Sequence, residues 1–146
     1  MKIDAIKNGI VIDHITAGCA MQLYNMLGLD KLDCSVAIIK NVPSAKMGKK
    51  DIIKIDSNIN VNLDIVSFIS PDATVNIIVD GICREKRNIE LPERLVNIIK
   101  CKNPRCITTT EQEIRHIFVL ADRNKREYRC IYCDTKADSR KNYKLK

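Results

Sequence analysis

The 146-residue sequence predicts an α+β protein: a ferredoxin-like α/β sandwich over residues 1–90, a linker over 91–100 and a small all-β module over 101–146. Three observations carry this. The first hundred residues alternate β-branched runs with two short helical patterns in the order β, α, β, β, α, β and a closing strand, an order that folds as an antiparallel sheet covered on one face by two helices. The last third holds four of the seven cysteines in two close pairs. Charge divides at the same place: residues 1–100 carry 13 Lys and Arg against 12 Asp and Glu, whereas 101–146 carry 12 against 6.

With 45% apolar and 29% charged residues and a net charge of +7, the composition argues against disordered, fibrous and membrane classes. No stretch approaches the roughly 18 to 20 apolar residues that span a bilayer, and Met1 to Gly9 mixes charged with apolar residues where a signal peptide would be apolar. A cytoplasmic protein is expected, in which disulfides are disfavoured and close cysteine pairs read as metal ligands or redox sites.

Ile3 to Lys7 and Ile10 to Ile12 are strand segments around Asn8-Gly9, a hairpin-type turn signal. Ala17, Ala20, Met21, Tyr24 and Leu27 recur three and four apart, which predicts a helix over 17–27 with Gly28 as its C-cap. Ser35 to Lys40 and Asp51 to Ile55 read as strands flanking a loop at Pro43 to Gly48. A second helix, containing Leu63, Val66 and Ile69, is capped by Asn62 and stopped near Pro71. Ala73 to Val79 and Ile82 to Arg84 then flank Asp80-Gly81, another hairpin signal, and Leu91-Pro92-Glu93 marks the passage to the second module.

Cys101 and Cys106 enclose four residues, Cys130 and Cys133 enclose two, and 23 residues separate the pairs. Two short knuckles of this kind let four thiolates converge tetrahedrally on one metal, zinc or iron. A closed four-sulfur shell leaves no position for water, so the site is structural, the centre of a zinc-ribbon-like domain with one ion per chain. About 45 residues are too few for an ample apolar core, and a bound metal contributes roughly 10 kcal/mol or more. A redox C-x-x-C fits less well, because Arg129 to Cys133 reads as a tight knuckle and not as a helix start. Cys19, Cys34 and Cys83 sit in apolar runs and are expected to be buried, reduced thiols.

Nothing in the chain assembles into catalytic machinery. The two histidines, His14 and His116, belong to no nucleophile, phosphate-loop or metalloprotease motif. Asp13 and His14 are adjacent, and adjacent strand residues face opposite ways. Lys50 and Lys54 share a strand face, however, so their ammonium groups can converge on one anion.

Three segments then resemble one family, the regulatory chain of aspartate carbamoyltransferase: Ile3 through Ile15, Pro43-Ser44 through Ile55, and Pro71 through Asn76. Leu91-Pro92-Glu93-Arg94 and the four-cysteine spacing follow in the family's order. The resemblance implies a non-catalytic subunit acting in the allosteric control of pyrimidine biosynthesis. Its N-terminal domain would bind nucleotide effectors of the CTP, UTP and ATP class and pair as a regulatory-chain homodimer, and its zinc domain would dock the catalytic chain.

Carried over residue by residue, the resemblance implies an effector pocket of Ala5, Ile6, Val11, Asp13, His14, Lys50, Lys54, Asn76, Ile78, Cys83 and Lys86. Lys86 and His14 would meet phosphates, Lys54 the sugar and base, Asp13 the ribose hydroxyls, and backbone groups near Ala5, Ile6 and Cys83 the base edge. Gly81 stands where the family commonly has an aromatic residue, which leaves the base preference open. Asn103, inside the first knuckle, falls where the family places a contact to the catalytic chain.

The alternative is a zinc-ribbon nucleic-acid-binding protein, suggested by the sequence pI of about 9.1 and the basic tail. The second module carries few aromatics for stacking, namely Phe118, Tyr128, Tyr132 and Tyr143, which makes nucleic acid an unlikely partner.

Overall fold

Alternating isoleucines build the first sheet. In β3 (Gly48–Ile55) Asp51, Ile53 and Ile55 are fully buried, while Lys50, Ile52 and Lys54 lie half-buried on the opposite face. In β1 (Gly9–Thr16) the inward residues are Ile10, Ile12 and Ile15. The three-residue step from Ile12 to Ile15 is made by a bulge, where the pairing with β3 shifts register and His14 takes φ 57°. With β2 (Val36–Ser44), β4 (Thr74–Val79) and β5 (Ile82–Asn88), the sheet has the order β2-β3-β1-β4-β5, antiparallel throughout. The helices α1 (Ala20–Met26) and α2 (Leu63–Ile69) pack together and bury Leu23, Val66, Phe68 and Ile69 with the inward isoleucines. Each such side chain contributes roughly 1.5–3 kcal/mol. This is the split β-α-β arrangement, with β5 added at the edge.

The computed structural model describes residues 6–137, so the strand expected from Ile3 is visible only beyond Ala5, and Ile6 and Lys7 are not in a strand. Asn8-Gly9 makes no hairpin between described strands. Gly9 instead opens β1, because a Cβ there would overlap the Ile55 carbonyl oxygen. Helix α1 starts at Ala20 and not Ala17, since Gly18 takes φ 94° and the Cys19 N–H bonds to Thr16 O. Gly28, at φ 68°, follows α1 as expected and leads into a 3-10 turn at Leu29–Lys31. Asn62 caps α2 by accepting the Asp64 and Ile65 N–H groups.

The expected loop at 43–48 is narrower in the structure: Ala45, Lys46 and Met47 make the turn, while Pro43 and Ser44 end β2 and Gly48 opens β3. Pro43 fits because β2 is an edge strand, where no neighbour needs its missing N–H. Asp80-Gly81 turns the β4–β5 hairpin with φ 52° and 78°, and β5 runs four residues past its expected end at Arg84.

One carboxylate ties these parts together. Asp51, 0% exposed, accepts hydrogen bonds from the backbone N–H of Gly18 at 3.0 Å, Ala20 at 3.2 Å and Asn41 at 3.0 Å. It fixes the entry to α1 and the β2 bulge, where Asn41 has φ 59°.

Met1–Glu90 and Leu91–Lys146 form two separate compact units. The expected linker over 91–100 belongs to the second: β6 (Arg94–Val96) pairs with β7 (Ile117–Asp122), which pairs with β8 (Glu127–Cys130). Leu95 stands between Arg94 and Val96, too short a run to signal a strand, yet it is fully buried against its partner Phe118. Ile98, Ile99, Ile117 and Tyr128 complete this core, and the Tyr128 hydroxyl donates to Pro92 O. A four-residue helix, α3 (Ile107–Thr110), follows the first knuckle.

Candidate metal centre and effector face

The two knuckles, 23 residues apart in the sequence, bring four sulfurs together in the second unit. Cys101 and Cys106 flank a turn held by the Cys106 N–H to Asn103 O, and Cys130 and Cys133 close the end of β8. The Sγ atoms all lie within 4.8 Å of one another, with Cys101 to Cys133 at 3.5 Å and Cys106 to Cys130 at 3.7 Å. Sulfurs at about 2.3 Å from a tetrahedral zinc lie about 3.8 Å apart, so the set is positioned to hold one ion of this kind. Cys101, Cys106 and Cys130 are buried and Cys133 is half-buried, which suits a structural site.

The thiols are unlike one another. Burial and the neighbouring sulfurs push Cys101 up to about 12, and burial raises Cys130 as well. Burial also opposes ionisation of Cys133, but the Thr135 hydroxyl and N–H, the Asn103 side chain and Cys101 outweigh it and bring that thiol down to about 6. Loading a metal must therefore displace protons from the deeper sulfurs.

Asn103 is inside this arrangement. Its Oδ1 accepts the Arg105 N–H at 3.0 Å and its carbonyl accepts the Cys106 N–H at 3.1 Å, so it shapes the first knuckle. Thr108 and Thr135, which the sequence reading passed over, each place Oγ1 3.1 Å from a ligand sulfur, Cys106 and Cys133 respectively. Both stand two residues after a cysteine, a Cys-x-Thr spacing that was readable in the sequence.

The first unit leaves the outer face of its sheet uncovered by α1 and α2. Across it Lys54 pairs with Val11, Val11 with Asn76 and Asn76 with Lys86, so four of the expected effector residues form one row over four strands. Ile78, paired with both Gly9 and Cys83, lies one outward step along β4. Ile6 is half-buried next to Gly9, and Ala5 lies outside the described residues. Of the three thiols expected to be buried, Cys19 and Cys34 are half-buried and Cys83 is exposed, the last because β5 is an edge strand whose residues are all exposed.

In the other direction, Asp13 pairs with Thr74. The bulge overturns the expectation that Asp13 and His14 face opposite ways. Asp13 Oδ1 accepts the His14 N–H at 2.6 Å and pairs with Lys50 Nζ at 2.9 Å, while His14 Nδ1 lies 3.3 Å from Thr74 Oγ1. Burial disfavours the Asp13 carboxylate, but the Lys50 and His14 bonds prevail and hold its pKa below the usual 3.8. Lys50 thus serves Asp13 before it can serve any anion. Lys54 and Lys86 make no ion pair among the described residues, and the buried Asn76 Oδ1 has no hydrogen-bond partner there.

Comparisons with known proteins agree with both units. Residues 1–90 match the family model described as aspartate carbamoyltransferase regulatory chain, allosteric domain, and residues 93–142 match its metal binding domain. The chain is 49% identical over 135 residues to the aspartate carbamoyltransferase regulatory chain of Clostridium tetani, covering 92% of this chain and 94% of that one. It is 48% identical over 134 residues to the Clostridium botulinum protein of that name, covering 92% of each. To the Bifidobacterium longum protein it is 41% identical over 137 residues, covering 94% of this chain and 99% of the relative. With both domain models matched in order and such relatives covered almost end to end, the chain belongs to the aspartate carbamoyltransferase regulatory chain family, as a non-catalytic subunit with an allosteric and a metal-binding domain.

Proposed function

We propose that the outer sheet face of the first unit binds a nucleoside triphosphate of the CTP, UTP or ATP class, and that the second unit docks the chain onto aspartate carbamoyltransferase catalytic chains. Effector binding then biases the catalytic assembly between two quaternary states and so controls pyrimidine biosynthesis. The row Lys54, Val11, Asn76, Lys86 is the observation that carries this reading. It offers two ammonium groups, an apolar floor and a buried acceptor lacking a donor among the described residues, all on one face of the sheet. Lys86 and His14 take the phosphates, Lys54 the sugar and base, and Asp13, held anionic by Lys50, the ribose hydroxyls.

Docking is supported by Ile107, Ile131 and Tyr132. These are 46%, 43% and 45% exposed although apolar, and each stands next to a ligand cysteine. The metal shapes both knuckles and so presents these side chains, with Asn103 beside them. The chain works in the cytoplasm, paired with a second regulatory chain; among the described residues no helix is long and apolar enough to cross a membrane.

Calorimetric titration of the zinc-loaded chain with CTP, UTP and ATP tests the effector site. Lys86→Ala removes one charge-assisted contact worth about 1.5–3 kcal/mol, so it should weaken the tightest nucleotide roughly 10- to 100-fold. Affinity unchanged by that substitution would remove Lys86 from the site.

A further inference from the structure

The four ligand sulfurs differ in who bonds them. Cys101 and Cys130 have no hydroxyl within hydrogen-bond distance among the described residues; each faces another sulfur, Cys133 at 3.5 Å and Cys106 at 3.7 Å respectively. Cys106 and Cys133 instead face hydroxyls, Thr108 Oγ1 and Thr135 Oγ1, each at 3.1 Å. The Cys133 thiol donates to Thr135 Oγ1 here, but a metal-bound thiolate has no proton, so with the ion in place each hydroxyl must turn to donate to its sulfur. Thr108 is 5% exposed, which leaves little room for water to replace it.

We propose that Thr108 and Thr135 are positioning residues of the metal centre, and that their bonds to Cys106 and Cys133 set how slowly the chain releases its ion. The inference rests on the metal-binding reading of the second unit. Four thiolates around one divalent ion leave a net charge of −2 in a largely buried place, and each donor spreads part of that charge while fixing one sulfur's rotamer. Without the donor that thiolate is more open to a proton or a competing ligand, and its detachment is the first step of release.

The test is the rate at which the zinc-loaded full chain yields zinc to a chromophoric chelator, together with the sulfur-to-metal charge-transfer band of the cobalt-loaded chain. Thr135→Val, which keeps the shape and removes the hydroxyl, should speed release on the order of 10-fold, the lower end of what partners of metal ligands usually contribute, and shift the band. Thr135→Ser should restore the wild-type rate. Thr110→Val should change neither readout, because that hydroxyl bonds the Ile107 carbonyl and no sulfur. If the buried Thr108→Val variant does not fold, Thr135→Val decides alone. A Thr135→Val chain with the wild-type rate and an unshifted band overturns the proposal, whereas a wild-type chain that binds neither zinc nor cobalt overturns the metal reading beneath it.

Discussion

Replacing Asp51 by Asn keeps the shape of a side chain with no exposed surface and removes its charge and one acceptor oxygen. The carboxylate takes Gly18 and Ala20 on Oδ2 and Asn41 on Oδ1. An amide can keep its oxygen on one side only, so its NH2 must face a backbone N–H on the other. At least one charge-assisted bond is lost, about 1.5–3 kcal/mol, and one or two buried donors are orphaned at about 1–3 kcal/mol each. The expected destabilisation of the first unit is about 3–5 kcal/mol, a large share of a typical domain's stability. Because the units are separate and need not unfold together, amide hydrogen exchange on the full zinc-loaded chain is the assay. Protection of the Ile12 and Ile53 amides should fall by roughly 10²- to 10⁴-fold, while that of Phe118 in the second unit stays unchanged. A fall of less than about 10-fold would refute the reasoning that this carboxylate anchors α1 and the β2 bulge.

Two further predictions concern the site groups. Asp13 is held below 3.8, so its ion pair with Lys50 contributes fully above that value and is lost as pH falls through the lower folded-state pKa. A carbon-detected NMR titration should place the Asp13 midpoint below 3.8 in the wild type and raise it in Lys50→Met; a wild-type midpoint at or above 3.8 would remove the pair's influence. Stripping zinc with a chelator should collapse the protection of the β7 and β8 amides and leave that of β1 and β3 intact, because the metal organises the second unit alone; equal loss in both units would contradict this.

What the sequence made legible was whatever is local or periodic. The alternation through Asp51, Ile52, Ile53, Lys54 and Ile55 assigned the two faces of β3, and the cysteine spacing assigned the metal ligands. What stayed hidden depends on distant partners. Gly9 read as turn chemistry, whereas its reason is the approach of Ile55 O from another strand. Asp13 and His14 share a face only because a bulge inserts His14, and a bulge leaves no period in the sequence. Pro43 argued for a loop until β2 proved to be an edge strand, and Arg94–Val96 is too short a strand to show a pattern of its own. Asp51 was hidden for the opposite reason: a carboxylate directly after Lys49-Lys50 looks like a solvated residue, and the three N–H groups it satisfies lie 10 to 33 residues away.

The central claim is that this chain is a regulatory subunit whose metal-shaped unit joins it to catalytic chains. Light scattering of the zinc-loaded chain mixed with the aspartate carbamoyltransferase catalytic trimer from the same source measures this directly. The account predicts one species with the mass of two catalytic trimers and three regulatory dimers, formed with zinc and absent after chelation. Trimer and regulatory chain that stay apart in the presence of zinc would contradict it and favour a nucleic-acid partner for the basic second unit.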